Sequence, residues 1–204
     1  GHNTAYLEEY GGKQAAMILN LETGNFARVP LNQYDVIVNA ASEKVGQQLF
    51  EKMVAGRYLG TLFVVVLKEA GVIHRQMEVT SKDLADLIQD KNIHLLVVSA
   101  LGANAKSLIF YNKVKGELEQ YLKSLSIYKL SIFQPSLLIG KRSEVRVLED
   151  MAQTVYKLVE KAWTKPFKIK PVSAEQLAHT MLVAAQTQTA AFKLYDNLSI
   201  QQTQ

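Results

Sequence analysis

The chain has 204 residues, of which 48% are apolar and 21% charged, and its 23 Lys and Arg against 19 Asp and Glu leave a formal net charge of +4. That is ordinary globular composition and enough chain for one domain with a substantial core; the basic residues are scattered, with no run denser than Lys141-Arg142, so no nucleic-acid partner is expected. Cysteine is absent, which excludes disulfides, cysteine nucleophiles and thiolate metal sites and fits a reducing, cytoplasmic compartment.

No apolar run approaches the roughly 18 residues that a membrane helix needs, so no membrane partner is expected. Gly1-His2 reads as a tag remnant, and no secretory signal is visible. Residues 3–12 form no clear element by pattern. Ala15 to Leu19 and Phe26 to Leu31 are apolar runs on either side of Glu22-Thr23-Gly24-Asn25, which reads as a hairpin turn. A rival assignment makes Met17 to Leu21 a first parallel strand with Thr23-Gly24 in a glycine turn. Pro30 then falls where a helix should follow, which disfavours it. Residues 1–33 are atypical of what comes next.

Tyr34 to Ala41, YDVIVNAA, is a buried parallel strand, because Val36-Ile37-Val38 is β-branched throughout, as strands covered on both faces tend to be. Beyond it two readings compete. Val45 to Arg57 carries Val45, Leu49, Met53 and Val54 at helical spacing. Tyr58 to Gly71 is the alternative helix, closing on a C-terminal glycine. Leu62 to Leu67, LFVVVL, is a strand under the first reading and a helix under the second; its three consecutive valines favour the strand.

Arg75 to Val79 reads as a short strand, and Ser81 as the N-cap of a helix from Lys82 to Asp90 that buries Leu84, Leu87 and Ile88. The stretch from His94 to Gly140 is the most informative. Leu95 to Val98 is an apolar run that ends at Ser99-Ala100-Leu101-Gly102. A helix follows with Val114, Leu118, Leu122 and Leu125 as its core stripe, and then a second run, Leu130 to Phe133, that ends at Gln134-Pro135-Ser136. Strand, helix, strand at this spacing is a βαβ unit, and in open parallel sheets ligands bind beyond the carboxyl ends of the strands. Tyr111 and Lys115 are four apart at the head of the helix, so they share a face one turn apart. Residues 144–163 form another amphipathic pattern that Pro166 ends. Ser173 with Gln176 makes a capping box for a helix to about Gln186, and Phe192 to Tyr195 reads as a last strand. With no repeat and no linker, residues 1–204 read as a single domain.

Three local phrases carry a resemblance: Val98-Ser99-Ala100-Leu101-Gly102-Ala103, the helix from Tyr111 to Glu119, and Gln134-Pro135-Ser136-Leu137-Leu138-Ile139-Gly140. Together they resemble the short-chain dehydrogenase/reductase family, and within it the atypical Tat-interacting-protein-like and NmrA-like branch of NAD(P)-binding proteins. Members of that branch read roughly V-S-S-L-G-A, Tyr-x-x-x-Lys-Gly-Glu-x-Glu and R-P-S-L-L-L-G. The likeness covers nearly fifty residues without a gap, and a lone Tyr-x-x-x-Lys would be weak beside it. It implies an α/β fold of the Rossmann type: a doubly wound, mainly parallel sheet with helices on both faces, in three layers. In one register Tyr34 to Ala41 is the strand before the phosphate loop, and Ala40 to Gly46 stands in for the usual glycine loop, with only Gly46 kept. In the other it is the fourth strand, ending in Asn-Ala-Ala. Both put Asn39, Ala40, Ala41 and Ser42 beside the cofactor cleft.

The resemblance implies an oxidoreductase that moves a hydride between NADP or NAD and a small carbonyl or alcohol substrate. A free phenol has a pKa near 10, and an ammonium one turn away stabilises the phenolate. Tyr111 is then general acid/base, and Lys115 its electrostatic partner and ribose ligand. Pro135 and Ser136 pack by the nicotinamide. The serine that orients the substrate oxygen falls at Ala100 in this chain, with Ser99 as the substitute; neighbours on a strand point to opposite faces, so the exchange is not conservative. Glu43 in the phosphate loop would repel a pyrophosphate. These two departures support a rival reading, a non-catalytic regulatory or protein-interaction module on the same fold. An isomerase or dehydratase using the same pair is disfavoured by the short chain. Plainer readings stand beside the site: Tyr and Lys at this spacing occur by chance on amphipathic helices, His94 and His179 lie in apolar patterns as core or surface residues, and no His/Asp/Glu spacing suggests a metal. The C-terminal helices offer a face for a homodimer.

Overall fold

The computed structural model describes the backbone of residues 4–10, 13–19, 35–40, 62–66, 84–139 and 168–204, together with positions 45, 46, 48, 49, 51, 52 and 82. Among the described residues nine strands are assigned: β1 (Thr4–Tyr10), β2 (Lys13–Leu19), β3 (Val36–Ala40), β4 (Leu62–Val66), β5 (His94–Val98), β6 (Lys129–Gln134), β7 (Leu138–Ile139), β8 (Val172–Ser173) and β9 (Phe192–Asp196). Helix α1 is described at 45–46, 48–49 and 51–52, and α2 at 82 and 84–88. Helices α3 (Phe110–Ser124), α4 (Ala174–Thr187) and α5 (Asn197–Gln202) are the other helices among the described residues.

Among the described residues seven strands form one sheet in the order β1-β2-β4-β3-β5-β6-β9. Only β1 and β2 are antiparallel; every other pairing in this sheet is parallel. Val36 to Val38 of β3 and the strands β5 and β6 are buried on both sides, and their alternate residues feed two cores, whereas β9 at the edge buries only Tyr195. Val36, Val38, Leu96, Val98 and Phe133 join Val45 and Leu49 of α1 and Leu177, Ala178 and Met181 of α4 on one face. Ile37, Leu95, Val97, Leu130 and Ile132 join Leu84, Ala85 and Ile88 of α2 and Leu118 and Leu122 of α3 on the other. The result is a Rossmann-like α/β fold in three layers, as the family resemblance implies. Each fully buried Leu, Ile or Val contributes about 1.5–3 kcal/mol, so these two cores dominate stability.

The strand order decides between the two registers. From β3 the chain passes through α1 to β4 on one side of the sheet, whereas β5, β6 and β9 build outwards on the other. The direction of winding reverses between β3 and β5, so β3 is the switch-point strand, as in the register that puts it before the phosphate loop. Leu62 to Val66 is a strand, which agrees with the valine run. β2 lies beyond β4, in the place a third consecutive parallel strand would fill, although it precedes β3 in the chain.

Four sequence expectations change. Residues 4–10, expected to form no element, are β1, and the hairpin joins β1 to β2 with Tyr10 paired to Lys13. Residues 11–12 and the expected turn at 22–25 lie outside the described residues. Leu87 is 47% exposed, and Leu84, Ala85 and Ile88 form the buried face of α2. Ser173 caps α4, its Oγ accepting from Gln176 N at 3.0 Å, but the reciprocal half of the box is absent. The Gln176 side chain instead donates to the carbonyls of Ile200 and Thr203 at the end of α5. Helix α5 itself was not expected. The possible strand at 75–79, the amphipathic pattern at 144–163, Ser81 and Lys141-Arg142 lie outside the described residues.

Candidate functional site

The carboxyl ends of β3, β5 and β6 lie side by side, and the head of α3 stands next to them. The turn after β5 is tightly made. Ser99 N donates to Phe133 O at 2.7 Å and Leu101 N to Pro135 O at 2.8 Å, which couples the ends of the two strands. Gly102 has φ +81, the left-handed region where glycine carries no steric cost. Asn104 Oδ1 then accepts from Lys106 N at 2.8 Å, and Asn104 N donates to Asn112 O at 2.9 Å, so the loop is tied to the first turn of α3. Helix α3 has no acidic residue in its first turn, and no side chain caps it at Ile109. The positive end of its dipole therefore meets no carboxylate from its own first turn.

Tyr111 and Lys115 are brought together as the spacing implies. Lys115 is only 6% exposed, and its Nζ lies 5.8 Å from the centroid of the Tyr111 ring. Ser99 is buried and on the α3 side of the sheet, in phase with Leu95 and Val97. Its Oγ donates to Glu119 Oε1 at 2.6 Å. Gln134 Nε2, from the end of β6, donates to the same oxygen at 2.8 Å, and Lys123 Nζ lies 3.5 Å from Oε2. Glu119 and Gln134 were not singled out from the sequence. The signal was present: Glu119 closes the Tyr111 to Glu119 phrase, and Gln134 stands where the resembling branch carries arginine.

Of the residues expected at the dinucleotide, Asn39 and Ala40 end β3, the switch-point strand. Gly46 is helical and buried in α1, while Ala41 and Ser42 lie outside the described residues. Pro135 is buried. Ser136 is engaged structurally: its N–H donates to Asn197 Oδ1 at 2.8 Å and its hydroxyl to Lys170 O at 2.7 Å. Asn197 Nδ2 donates to Lys168 O and Lys170 O, and this knot holds the β7–β8 ladder against α5.

His94 belongs to a buried network away from this cleft. Its Nε2 is 2.7 Å from Ser131 Oγ, and the Ser131 hydroxyl donates to Gln188 Oε1 at 2.5 Å. Since that hydrogen is committed to Gln188, His94 Nε2 must be the donor to Ser131. Burial, assisted by the charge of Lys129, pushes the His94 pKa down to about 4, so the ring is neutral at physiological pH. Tyr195 completes the network through Gln188 Oε1 at 3.2 Å, and burial raises its phenol pKa. Among the described residues no group of His, Cys, Asp and Glu is placed to hold a metal ion. Nor is any described helix long and apolar enough to cross a membrane.

Comparison with solved structures supports the fold. dTDP-4-dehydrorhamnose reductase of Bacillus anthracis, in complex with NADP, superposes with a TM-score of 0.51 at 15% identity, covering 80% of this chain and 74% of that one. Comparison by sequence points two ways. Protein FMP52, mitochondrial, of Lodderomyces elongisporus is 39% identical over 83 residues, which is 40% of this chain and 34% of that protein. Hexokinase-1 of Spinacia oleracea is 37% identical over 78 residues, 33% of this chain and 16% of the relative. The chain therefore spans about a sixth of that hexokinase and about a third of that FMP52 protein. The family model described as hexokinase matches residues 1–157, more than half of the sequence, and on that match the chain belongs to the hexokinase family.

Proposed function

We propose that the chain binds NAD(P)(H) at the carboxyl ends of β3 and β5 and serves as an oxidoreductase of the atypical short-chain dehydrogenase/reductase type. The observation that carries this is Tyr111 beside a buried Lys115, at the head of the helix next to the switch point of a Rossmann-like sheet. The nicotinamide, when bound, supplies or accepts a hydride at the substrate carbon. Tyr111 gives its phenolic proton to the carbonyl oxygen as the alcohol forms, and recovers one from solvent. Lys115 favours the phenolate by its charge, and the uncapped start of α3 acts in the same sense. Ser99 has committed its hydrogen to Glu119, so its oxygen is left as an acceptor, suited to a substrate hydroxyl.

The residues fit a dinucleotide in part. The switch-point strand ends at Asn39-Ala40 and leads into α1, where helix N–H groups suit a pyrophosphate. Ala41, Ser42, Gly46, Pro135 and Ser136 belong to the proposed cofactor side, with Ser136 acting through the turn it locks. The reading includes a small carbonyl substrate and cytoplasmic residence. The FMP52 relative is mitochondrial by name, so fractionation of cells expressing the tagged chain tests the latter.

NADH and NADPH are titrated against the fluorescence of Trp163 and the tyrosines. Micromolar binding of either, weakened at least tenfold by Lys115→Ala, is expected. A folded protein that binds neither up to millimolar overturns the reading. Binding without turnover on any carbonyl panel would favour the non-catalytic module instead, which the alanine at position 100 supports.

Membership of the hexokinase family favours a second reading, phosphoryl transfer from ATP to a hexose by the longer proteins that this chain matches in part. Titration with ATP and glucose in the same cell separates the two, since each reading expects a response to one ligand pair and none to the other.

A further inference from the structure

We propose that Glu119 is a positioning residue, one that sets the rotation of α3 and thereby aims Tyr111 and Lys115 at the cleft. The inference rests on the reading of those two residues given above. Glu119 is 5% exposed, and a carboxylate so buried persists only when its lone pairs are used. They are used from three directions. Ser99 at the end of β5 and Gln134 at the end of β6 both donate to Oε1, while Lys123 approaches Oε2 from the helix itself.

Two adjacent strand ends thus converge on one oxygen of the helix. Apolar packing by Leu118 and Leu122 buries the same face but tolerates small rotations about the helix axis; two directional bonds on one atom tolerate far less. Tyr111, Lys115 and Glu119 occur at steps of four, so they share a side of α3. With side chains reaching some 5–6 Å from the axis, a rotation of about 20° displaces their tips by about 2 Å, enough to spoil a reacting geometry. Gly116, between Lys115 and Glu119, fixes the height of the same turn. A Cβ there would lie 2.2 Å from Asn104 C and from Ala105 N, so the loop backbone lies directly on the helix. Contact with the loop and bonding to the strand ends together leave the upper turns of α3 one orientation.

Glu119→Gln and Glu119→Leu separate this role from simple packing. Gln keeps a carbonyl oxygen for Ser99 and Gln134 and turns an NH2 donor, in place of the charged acceptor, towards Lys123. Leu keeps the bulk and loses both bonds. The readouts are the Kd for NADPH or NADH, the urea midpoint, and hydrogen exchange of amides 110–116 compared with 118–124. We expect Gln to hold Kd within threefold of the parent. We expect Leu to raise Kd at least tenfold and to speed exchange at 110–116 tenfold more than at 118–124. A Leu variant with a lowered urea midpoint but parental Kd and uniform exchange overturns the proposal, because Glu119 is then only packing. If the parent binds neither dinucleotide, the oxidoreductase reading fails, and the exchange pattern still decides the positioning role. If Glu119→Leu does not fold, Ser99→Ala combined with Gln134→Leu removes the same two bonds and is held to the same outcomes.

Discussion

The backbone of Ala105 lies against Gly116 so closely that a Cβ on the glycine would stand 2.2 Å from the Ala105 nitrogen. Both partners are main chain, so neither can swing aside. Gly116→Ala must therefore push the 104–105 loop off α3, at a cost we expect to exceed about 2 kcal/mol, in the range of core overpacking. Urea unfolding measures it, and a loss below about 0.5 kcal/mol would mean that the loop is not held there.

His94 makes stability depend on pH in a stated direction. Its folded pKa is lowered from 6.5 to about 4 by burial first and Lys129 second. Between those values the unfolded chain binds a proton that the folded chain refuses. The contribution is complete above about pH 6.5, falls as pH drops towards 4, and levels off below, for a total of order 3 kcal/mol. His94→Gln removes this slope. Unfolding free energies at pH 7, 5.5 and 4.5 should show a shallower decline in the variant, and equal declines would refute the assignment.

Asp196 ends β9 and caps α5, its Oδ1 accepting from Ser199 N at 2.8 Å and from Ser199 Oγ at 2.6 Å. The Ser199 side chain, then its backbone N–H, hold the carboxyl below its usual pKa. Because the folded value is the lower one, the contribution is present above the unfolded pKa and is lost as pH falls through the folded one. Asp196→Ala should cost about 1 kcal/mol at pH 7 by loss of the cap, and less at pH 3. Thermal unfolding at the two pH values checks this.

Leu87 and Ile88 are neighbours with opposite fates, 47% and 0% exposed. Leu87→Glu should change stability by no more than about 0.5 kcal/mol, whereas Ile88→Ala should cost about 2–5 kcal/mol. Comparable losses from the two would mean that Leu87 is covered in solution.

The sequence by itself determined the stretch from His94 to Gln134 closely. The short apolar runs Leu95 to Val98 and Leu130 to Phe133, and the helical spacing of Val114, Leu118 and Leu122, are local signals, and the strands and helix form where they lie. The Tyr111–Lys115 pairing was legible for the same reason, since one helical turn separates the residues whatever surrounds them. Tertiary structure decided the rest. That Ser99 faces Glu119 depends on β5 lying under α3, and that Gln134 reaches the same oxygen depends on β6 being the neighbour of β5. No periodicity encodes such a pairing. The register of β3 was ambiguous because one β-branched run suits either position in a parallel sheet. It was settled by the strand order, in which β4 and β5 flank β3 and the winding reverses there. The exposure of Leu87 and the pairing of β1 with β2 follow likewise from which surfaces meet, because burial belongs to the assembled sheet and helices rather than to any single segment.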